Sequence, residues 1–162
     1  MILPNRCNEN ARQHLKVMGD LGQIVHLDFS IRDADAIKYA VERSNVVVNM
    51  VGREWETRNF SFEDVHVEFP AKLAEICKEV GVERLVHVSA LGASHTNPSK
   101  YYQTKAAGDD AVRAAFPNAT IVKPAKLIGT EDRLLNVFAE HTCKFPLAPL
   151  VDDGESKHQP VY

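Results

Sequence analysis

The stretch "NVVVNMVG", residues 45–52, is a β-branched run closed by an Asn and a Gly. Successive side chains of an extended chain point to opposite sides, so Val46, Val47 and Val48 make it apolar on both faces. A strand that offers water neither face belongs inside a parallel sheet covered by helices. The same reading extends outward. Residues 1–3, "MIL", form a short apolar run that Pro4 is expected to end. "QIVHLDF" (23–29), "ERLVHVSA" (83–90) and "ATIVKP" (119–124) read as further strands, the last closed by Pro124.

Helical patterns separate these strands. In "DADAIKYAVERS" (33–44), Asp33 is a plausible N-cap, and Ile37, Ala40 and Val41 recur at helical spacing. After the polar loop "REWETRNF" (53–60), Ser61 reads as the N-cap of a long helix carrying Val65, Phe69, Leu73, Ile76 and Val80 on one side. Pro70 inside it predicts a kink or a later start, and Gly81 ends it. A helix over "KYYQTKAAGDDAV" (100–112) follows, then a weaker one near 132–141 and a Pro-rich run to Tyr162. Strands alternating with helices predict an α/β fold, a doubly wound parallel sheet with helices on both faces.

Composition narrows the function classes. A net charge of −3 implies no strong attraction to nucleic acid or anionic lipid. Cys7, Cys77 and Cys143 are far apart and odd in number, which argues against a disulfide framework and against a zinc site. No apolar run is long enough to span a membrane. The opening "MILPNRC" reads neither as a signal peptide nor as a transit peptide.

Open parallel sheets bind ligands at the carboxyl ends of their strands. There this sequence places Arg6 after the first run, Asp28 and Phe29 after the second, Asn49 and Gly52 after the third, and Ser89 after the fourth. Twelve residues beyond Ser89 come Tyr101 and Lys105, one turn apart on one helix face. A neighbouring ammonium favours a phenolate, so Lys105 is expected to lower the Tyr101 pKa and fit it to exchange a proton with an alcohol or carbonyl. Ser89 could hydrogen-bond the same oxygen, and Lys105 a ribose hydroxyl. Gly108, one turn further on, would allow close approach of a ligand or a strand. A tyrosine packed on a lysine stem, with Gly108 serving helix packing, fits the same residues.

"VERLVHVSALGA" followed by "YYQTK", with "NVVVNMVG" before and "IVKPAKLIG" after, resembles the short-chain dehydrogenase/reductase superfamily in its extended or atypical branch. Four stretches, "HLKVMGDLGQIV", "SNVVVNMVGREWETRNFSFEDV", "AFPNATIVKPAKLIGTEDRLLN" and "QPVY", are similar to the members that serve as NADPH-carrying accessory subunits of mitochondrial respiratory complex I. The resemblance implies a Rossmann domain over residues 1–162, with 125–162 opening a substrate- or partner-contact region. Ser89, Tyr101 and Lys105 match the family's catalytic set, here read as vestigial and as holding the cofactor. Arg6 matches the arginine that reaches the adenosine 2′-phosphate of NADPH, and Asp28 the acidic residue near the adenine, with Phe29 beside it. Asn49, Met50, Val51 and Gly52 match the small residues under the adenosine ribose. Pro124 precedes the turn flanking the nicotinamide.

Two departures stand out. The family's first strand and Gly-rich phosphate turn are missing, and Gly19 and Gly22 precede a strand instead of following one. The chain thus reads as beginning at the family's second strand and stopping short of its C-terminal region. Because the missing strand is central, its loss predicts two half-sheets with unpaired edges. His66 also stands where many family enzymes carry an Asn. The implied role is non-catalytic: assembly and stability of complex I on the matrix side of the inner membrane, with other complex I subunits as partners. An active NADP-dependent reductase or epimerase is the alternative, and a truncated product without independent function is a third reading.

Overall fold

The structure, a computed structural model, describes residues 1–6, 9–130, 132–145, 151–155, 157 and 159–162. Its elements alternate as β1 (Ile2–Asn5), α1 (Glu9–Lys16), β2 (Val25–Asp28), α2 (Ala34–Val41), β3 (Val46–Asn49), a π-helical segment (Asp64–Glu68) running into α3 (Phe69–Val80), β4 (Arg84–Val88), α4 (Lys100–Ala115), β5 (Thr120–Val122) and α5 (Leu135–Lys144). Every ladder is parallel, and the strands divide into a two-stranded sheet, β1–β2, and a three-stranded sheet in the order β3–β4–β5. This is the split expected of a doubly wound sheet that lacks a central strand.

Pro4 does not end the first strand; it lies inside β1, opposite Leu27. Val25 N–H donates to Met1 O and Phe29 N–H to Asn5 O, so the odd-numbered residues of β1 face β2. Pro4 therefore turns its missing donor toward the unpaired side, where no ladder bond is lost. Helix α1 was not foreseen. It carries few apolar residues and is edged by an exposed Lys16–Glu9 pair at 2.8 Å, which contributes little. Gly19 and Gly22 fall in the turn before β2.

Helix α2 starts where expected, with Asp33 Oδ1 accepting from Asp35 N–H (3.0 Å) and Ala36 N–H (3.1 Å). Such a cap is worth about 1 kcal/mol. Its buried face, Ile37, Ala40 and Val41, meets Phe69, Leu73 and Cys77 of α3, while Leu85 of β4 and Val112 of α4 close the core. Burying each large apolar side chain contributes about 1.5–3 kcal/mol. Gly81 ends α3 at φ 82°, a left-handed conformation that strains any residue bearing a Cβ.

Ser61 caps the next helix reciprocally: Asp64 N–H donates to Ser61 Oγ (3.2 Å) and Ser61 N–H to Asp64 Oδ2 (2.8 Å). The Pro70 effect is a widened turn and not a break. Phe69 N–H bonds Asp64 O, five residues back, so the π segment (Asp64–Glu68) gives way to α3 at Phe69, the residue before Pro70. Pro70 has no N–H for the carbonyl four residues earlier, which is His66 O. That carbonyl meets Gly108 of α4 instead, so closely that a Cβ on Gly108 would lie 1.9 Å from His66 O. Gly108 thus serves helix-to-helix approach, since any side chain there would strike the His66 carbonyl.

Helix α5 begins at Leu135, three residues after the anticipated start, because Asp132 acts as its cap, accepting from Leu134 N–H (2.8 Å) and from Leu135 N–H. Beyond Pro124, Ile128 N–H donates to Val161 O (2.8 Å) and Val161 N–H to Lys126 O (3.0 Å), tying the chain end to residues 126–128. Cys77 is buried and Cys143 exposed, so these two form no disulfide; Cys7 lies outside the described residues. Among the described residues no helix is long and apolar enough to cross a membrane.

Gly108→Ala is predicted to destabilise the protein by about 2–3 kcal/mol or more, since the methyl group must displace backbone and not a flexible side chain. A thermal unfolding midpoint within 1 °C of wild type, about the limit of a negligible change, would contradict this packing.

Candidate functional site

The carboxyl ends of β3, β4 and β5 and the first turns of α4 form one polar cluster. Asn49 ends β3, 3% exposed, and its Oδ1 accepts from Val51 N–H (3.1 Å), turning the chain toward Gly52. Met50 is exposed and Val51 packs against the core. Ser89 follows β4, and its N–H continues the ladder to Val122 O (2.8 Å). Its hydroxyl is buried and bonds nothing among the described residues. Leu91 N–H bonds Pro124 O (2.9 Å), so Pro124 stands beside the Ser89 end of the sheet.

Lys105 rises from α4 into this cluster, only 5% exposed. Its Nζ donates to Val88 O (3.4 Å), and a Cβ on Gly52 would come within 3.2 Å of it. Burial holds the Lys105 ammonium below its ordinary pKa, and the Asp109 carboxylate partly opposes this. Tyr101 departs from expectation. Burial is the first cause of a phenol pKa raised above the usual 10, with Tyr102 and Glu54 adding to it. All three causes act in one direction and Lys105, whose Nζ is directed to Val88 O, does not offset them, so the hydroxyl keeps its proton near neutral pH.

His66 takes part in the site in a way the sequence did not reveal. It is 1% exposed, stacked on Phe62 at 5.3 Å and edge-on to Tyr101 at 5.2 Å. Arg53 N–H donates to its Nε2 (3.3 Å), which must therefore carry a lone pair. Thr104 Oγ1 donates to Tyr101 O (3.0 Å), leaving its own lone pair to receive Nδ1–H of His66 (3.0 Å). The bonding demands a neutral imidazole. Burial, then the Lys105 charge, accordingly lowers its pKa to about 4.

Beneath these groups lies a buried charged set that sequence reasoning missed. His87 of β4 receives Asn49 Nδ2–H at its Nδ1 (3.1 Å) and turns Nε2 toward Asp109 Oδ1 at 3.7 Å. Asp109, 2% exposed, has Lys123 Nζ at 2.9 Å from its other oxygen. Burial lowers the His87 pKa to about 4; Lys105 adds to this and Asp109 resists it. Strand alternation was the available signal, since it places His87 on the same face as Leu85 and Ser89.

The other predicted residues stand at the ends of β1 and β2. Arg6 is exposed, with its guanidinium carbon 4.8 Å from the centre of the Phe60 ring. Asp28 is exposed and pairs with Arg12 at 3.2 Å. Phe29 packs edge-on against Phe69 at 5.9 Å, so its ring joins the core. The structure therefore gathers Asn49, Gly52, Ser89, Lys105 and the α4 turn bearing Tyr101 at one sheet end. Arg6, Asp28 and Phe29 lie at the carboxyl ends of the other sheet, β1–β2, with Arg6 on the Phe60 ring of the loop after β3. A shallow groove of about 520 Å³ along α5, lined by Asp132, Asn136, Glu140 and Cys143, lies apart from both.

An orphaned buried hydroxyl, a lysine under a glycine, and an arginine with no ion pair among the described residues are donors fit for ribose hydroxyls, an amide and a phosphate. They suit a nicotinamide nucleotide.

His66 and His87 predict acid sensitivity. Their folded pKa values of about 4 lie below the ordinary 6.5, so the unfolded chain binds protons the folded one refuses. Their contribution is whole above pH 6.5 and is lost as pH falls toward 4, by up to about 1.4 kcal/mol per pH unit for each histidine. Urea unfolding from pH 7 to 4.5 should show that slope, and His87→Gln should flatten it. A wild-type profile level across this range would contradict the assignment.

Residues 9–143 match the family model described as NAD(P)H-binding. Over its whole length the chain is 49% identical to the rat protein named NADH dehydrogenase [ubiquinone] 1 alpha subcomplex subunit 9, mitochondrial, and 48% identical to the Arabidopsis thaliana protein of the same name. It covers 43% and 40% of those two proteins, so it spans less than half the length of the curated relatives it matches. In three dimensions it is similar to the NAD-bound dTDP-glucose 4,6-dehydratase DesIV of Streptomyces venezuelae, with a TM-score of 0.81 at 19% identity over 99% of this chain and 57% of that one. That likeness sets the two half-sheets in a Rossmann-type arrangement, and with the family match it leads to one statement: the chain belongs to the NAD(P)H-binding family.

Proposed function

We propose that the protein carrying this sequence is a peripheral accessory subunit of mitochondrial respiratory complex I, on the matrix side of the inner membrane, holding NADPH to support assembly and stability. The partners are other complex I subunits, with residues 125–162 opening the partner-contact region. Similarity to the rat and Arabidopsis subunits over the whole of this chain supports the placement.

The observation that favours holding over turnover is the burial of Lys105 and the partial burial of Tyr101. The phenol is kept protonated by burial, and the Lys105 Nζ is bonded to Val88 O. A base able to take a proton from an alcohol near neutral pH is thereby withheld. Bound NADPH supplies hydride chemistry, whereas these residues supply contacts. Ser89 Oγ and the Tyr101 hydroxyl face the nicotinamide end, and Lys105 a ribose hydroxyl. Asn49 to Gly52 underlie the adenosine ribose, Arg6 takes the 2′-phosphate, Asp28 and Phe29 border the adenine, and Pro124 flanks the nicotinamide. A second reading, an active NADP-dependent reductase or epimerase, is favoured by the Ser89 hydroxyl, which has no partner among the described residues and which a substrate oxygen would satisfy.

The protein purified from mitochondria is expected to comigrate with NADH:ubiquinone oxidoreductase on native gels and to release NADPH on denaturation. Incubation with a panel of carbonyl compounds should oxidise no NADPH. Recovery as a free matrix protein would overturn the placement. Substrate-dependent NADPH oxidation abolished by Tyr101→Phe would establish the second reading.

A further inference from the structure

The loop between β3 and the π segment ends in a tight turn that fixes one aromatic ring. Thr57 N–H donates to Phe60 O (2.9 Å), Phe60 N–H returns to Thr57 O (3.3 Å), and Thr57 Oγ1 accepts from the same N–H (3.2 Å). Two guanidinium groups converge on that ring. The Arg6 carbon is 4.8 Å and the Arg32 carbon 4.6 Å from its centroid, both within cation–π reach of about 6 Å. They arrive from different elements, Arg6 from the end of β1 and Arg32 from the turn after β2.

Their charges are only half compensated. Arg32 donates from Nη2 to Asn59 O (2.6 Å) and has Asp64 at 3.8 Å. Arg6 makes no ion pair among the described residues. Two cations gathered on one ring against one carboxylate leave positive charge at the surface. Planar guanidinium forks are shaped for phosphate oxygens. A terminal phosphomonoester carries about −1.5 to −2 charge and three acceptor oxygens, which two forks can share.

We propose that Arg6 and Arg32 form a two-guanidinium clip for the phosphomonoester of the nucleotide, and that Phe60 is its positioning residue. The inference rests on the reading of Arg6 as the 2′-phosphate contact and adds two residues to it. Selectivity for NADP(H) over NAD(H) then depends on an aromatic side chain that touches no phosphate. Without the ring, Arg6 is a solvated side chain free to sample many rotamers, and the convergence of the two forks is lost.

Isothermal titration with 2′,5′-ADP and with 5′-AMP isolates the clip, since the two differ by the one phosphate. The wild-type protein should bind 2′,5′-ADP at least about tenfold more tightly, a difference of about 1.4 kcal/mol. Arg6→Gln should erase that preference. Phe60→Leu and Arg32→Gln should each cut the ratio by about threefold to tenfold, while Phe60→Tyr, which keeps the ring, should retain it. If Arg6→Gln loses the preference but Phe60→Leu and Arg32→Gln keep it in full, the clip is wrong and the reading of Arg6 stands. If the wild-type protein shows no preference, both fall. Should Phe60→Leu fail to fold, Arg32→Gln, an exposed change, decides alone.

Discussion

Helix α4 crosses the π segment with backbone against backbone, and this contact sets the position of everything at the sheet ends. Pro70 cannot supply a donor to His66 O, the turn before it widens, and the displaced carbonyl lands on Gly108. A helix held that close brings Lys105 and Asp109 under the ends of β3 and β4, and brings Thr104 onto the His66 ring. The widened turn, the proline and the glycine are one device.

The device also explains the electrostatics. Groups pressed between a helix and a parallel sheet lose water: for Lys105 and His87 desolvation outweighs the Asp109 charge, and for His66 the Lys105 charge acts in the same direction as burial. Asp109 is kept tolerable by Lys123, which reaches it from beyond β5. The outcome is a neutral, hydrogen-bonded histidine beside Tyr101 and a phenol that keeps its proton. Such a site grips polar hydroxyl and amide groups well and abstracts protons poorly. The sequence alone suggested the opposite tendency for Tyr101, because spacing reveals that Lys105 is near but not that both groups are dry.

Much of the fold could be read from residue patterns. The Asp33 and Ser61 caps and the Gly81 terminator act through local rules that hold wherever they occur. The triple valine of β3 forms the expected strand but is not buried on both faces: Val46 and Val48 are about half exposed, because β3 is an edge of its three-stranded sheet. What escaped depends on tertiary partners. Helix α1 is only eight residues long, with Leu15 its one large apolar side chain, too little to read as a core-facing helix. Pro4 is harmless only because of which edge it faces. The His87–Asp109–Lys123 set joins residues from two strand regions and a helix, and no local pattern announces it. Beside the carboxyl ends of the β1–β2 sheet, Phe60 sits in a stretch that reads as an undistinguished polar loop, yet it collects two arginines from separate elements.

The central claim is that the strand ends around Lys105 and Ser89 hold a nicotinamide nucleotide in the folded state. Thermal unfolding with and without NADPH tests it most directly, because a ligand bound only by the native protein must raise the midpoint. The account predicts a cooperative transition that moves upward with NADPH and moves less in Lys105→Met. A cooperative transition that does not respond to saturating NADPH would contradict it.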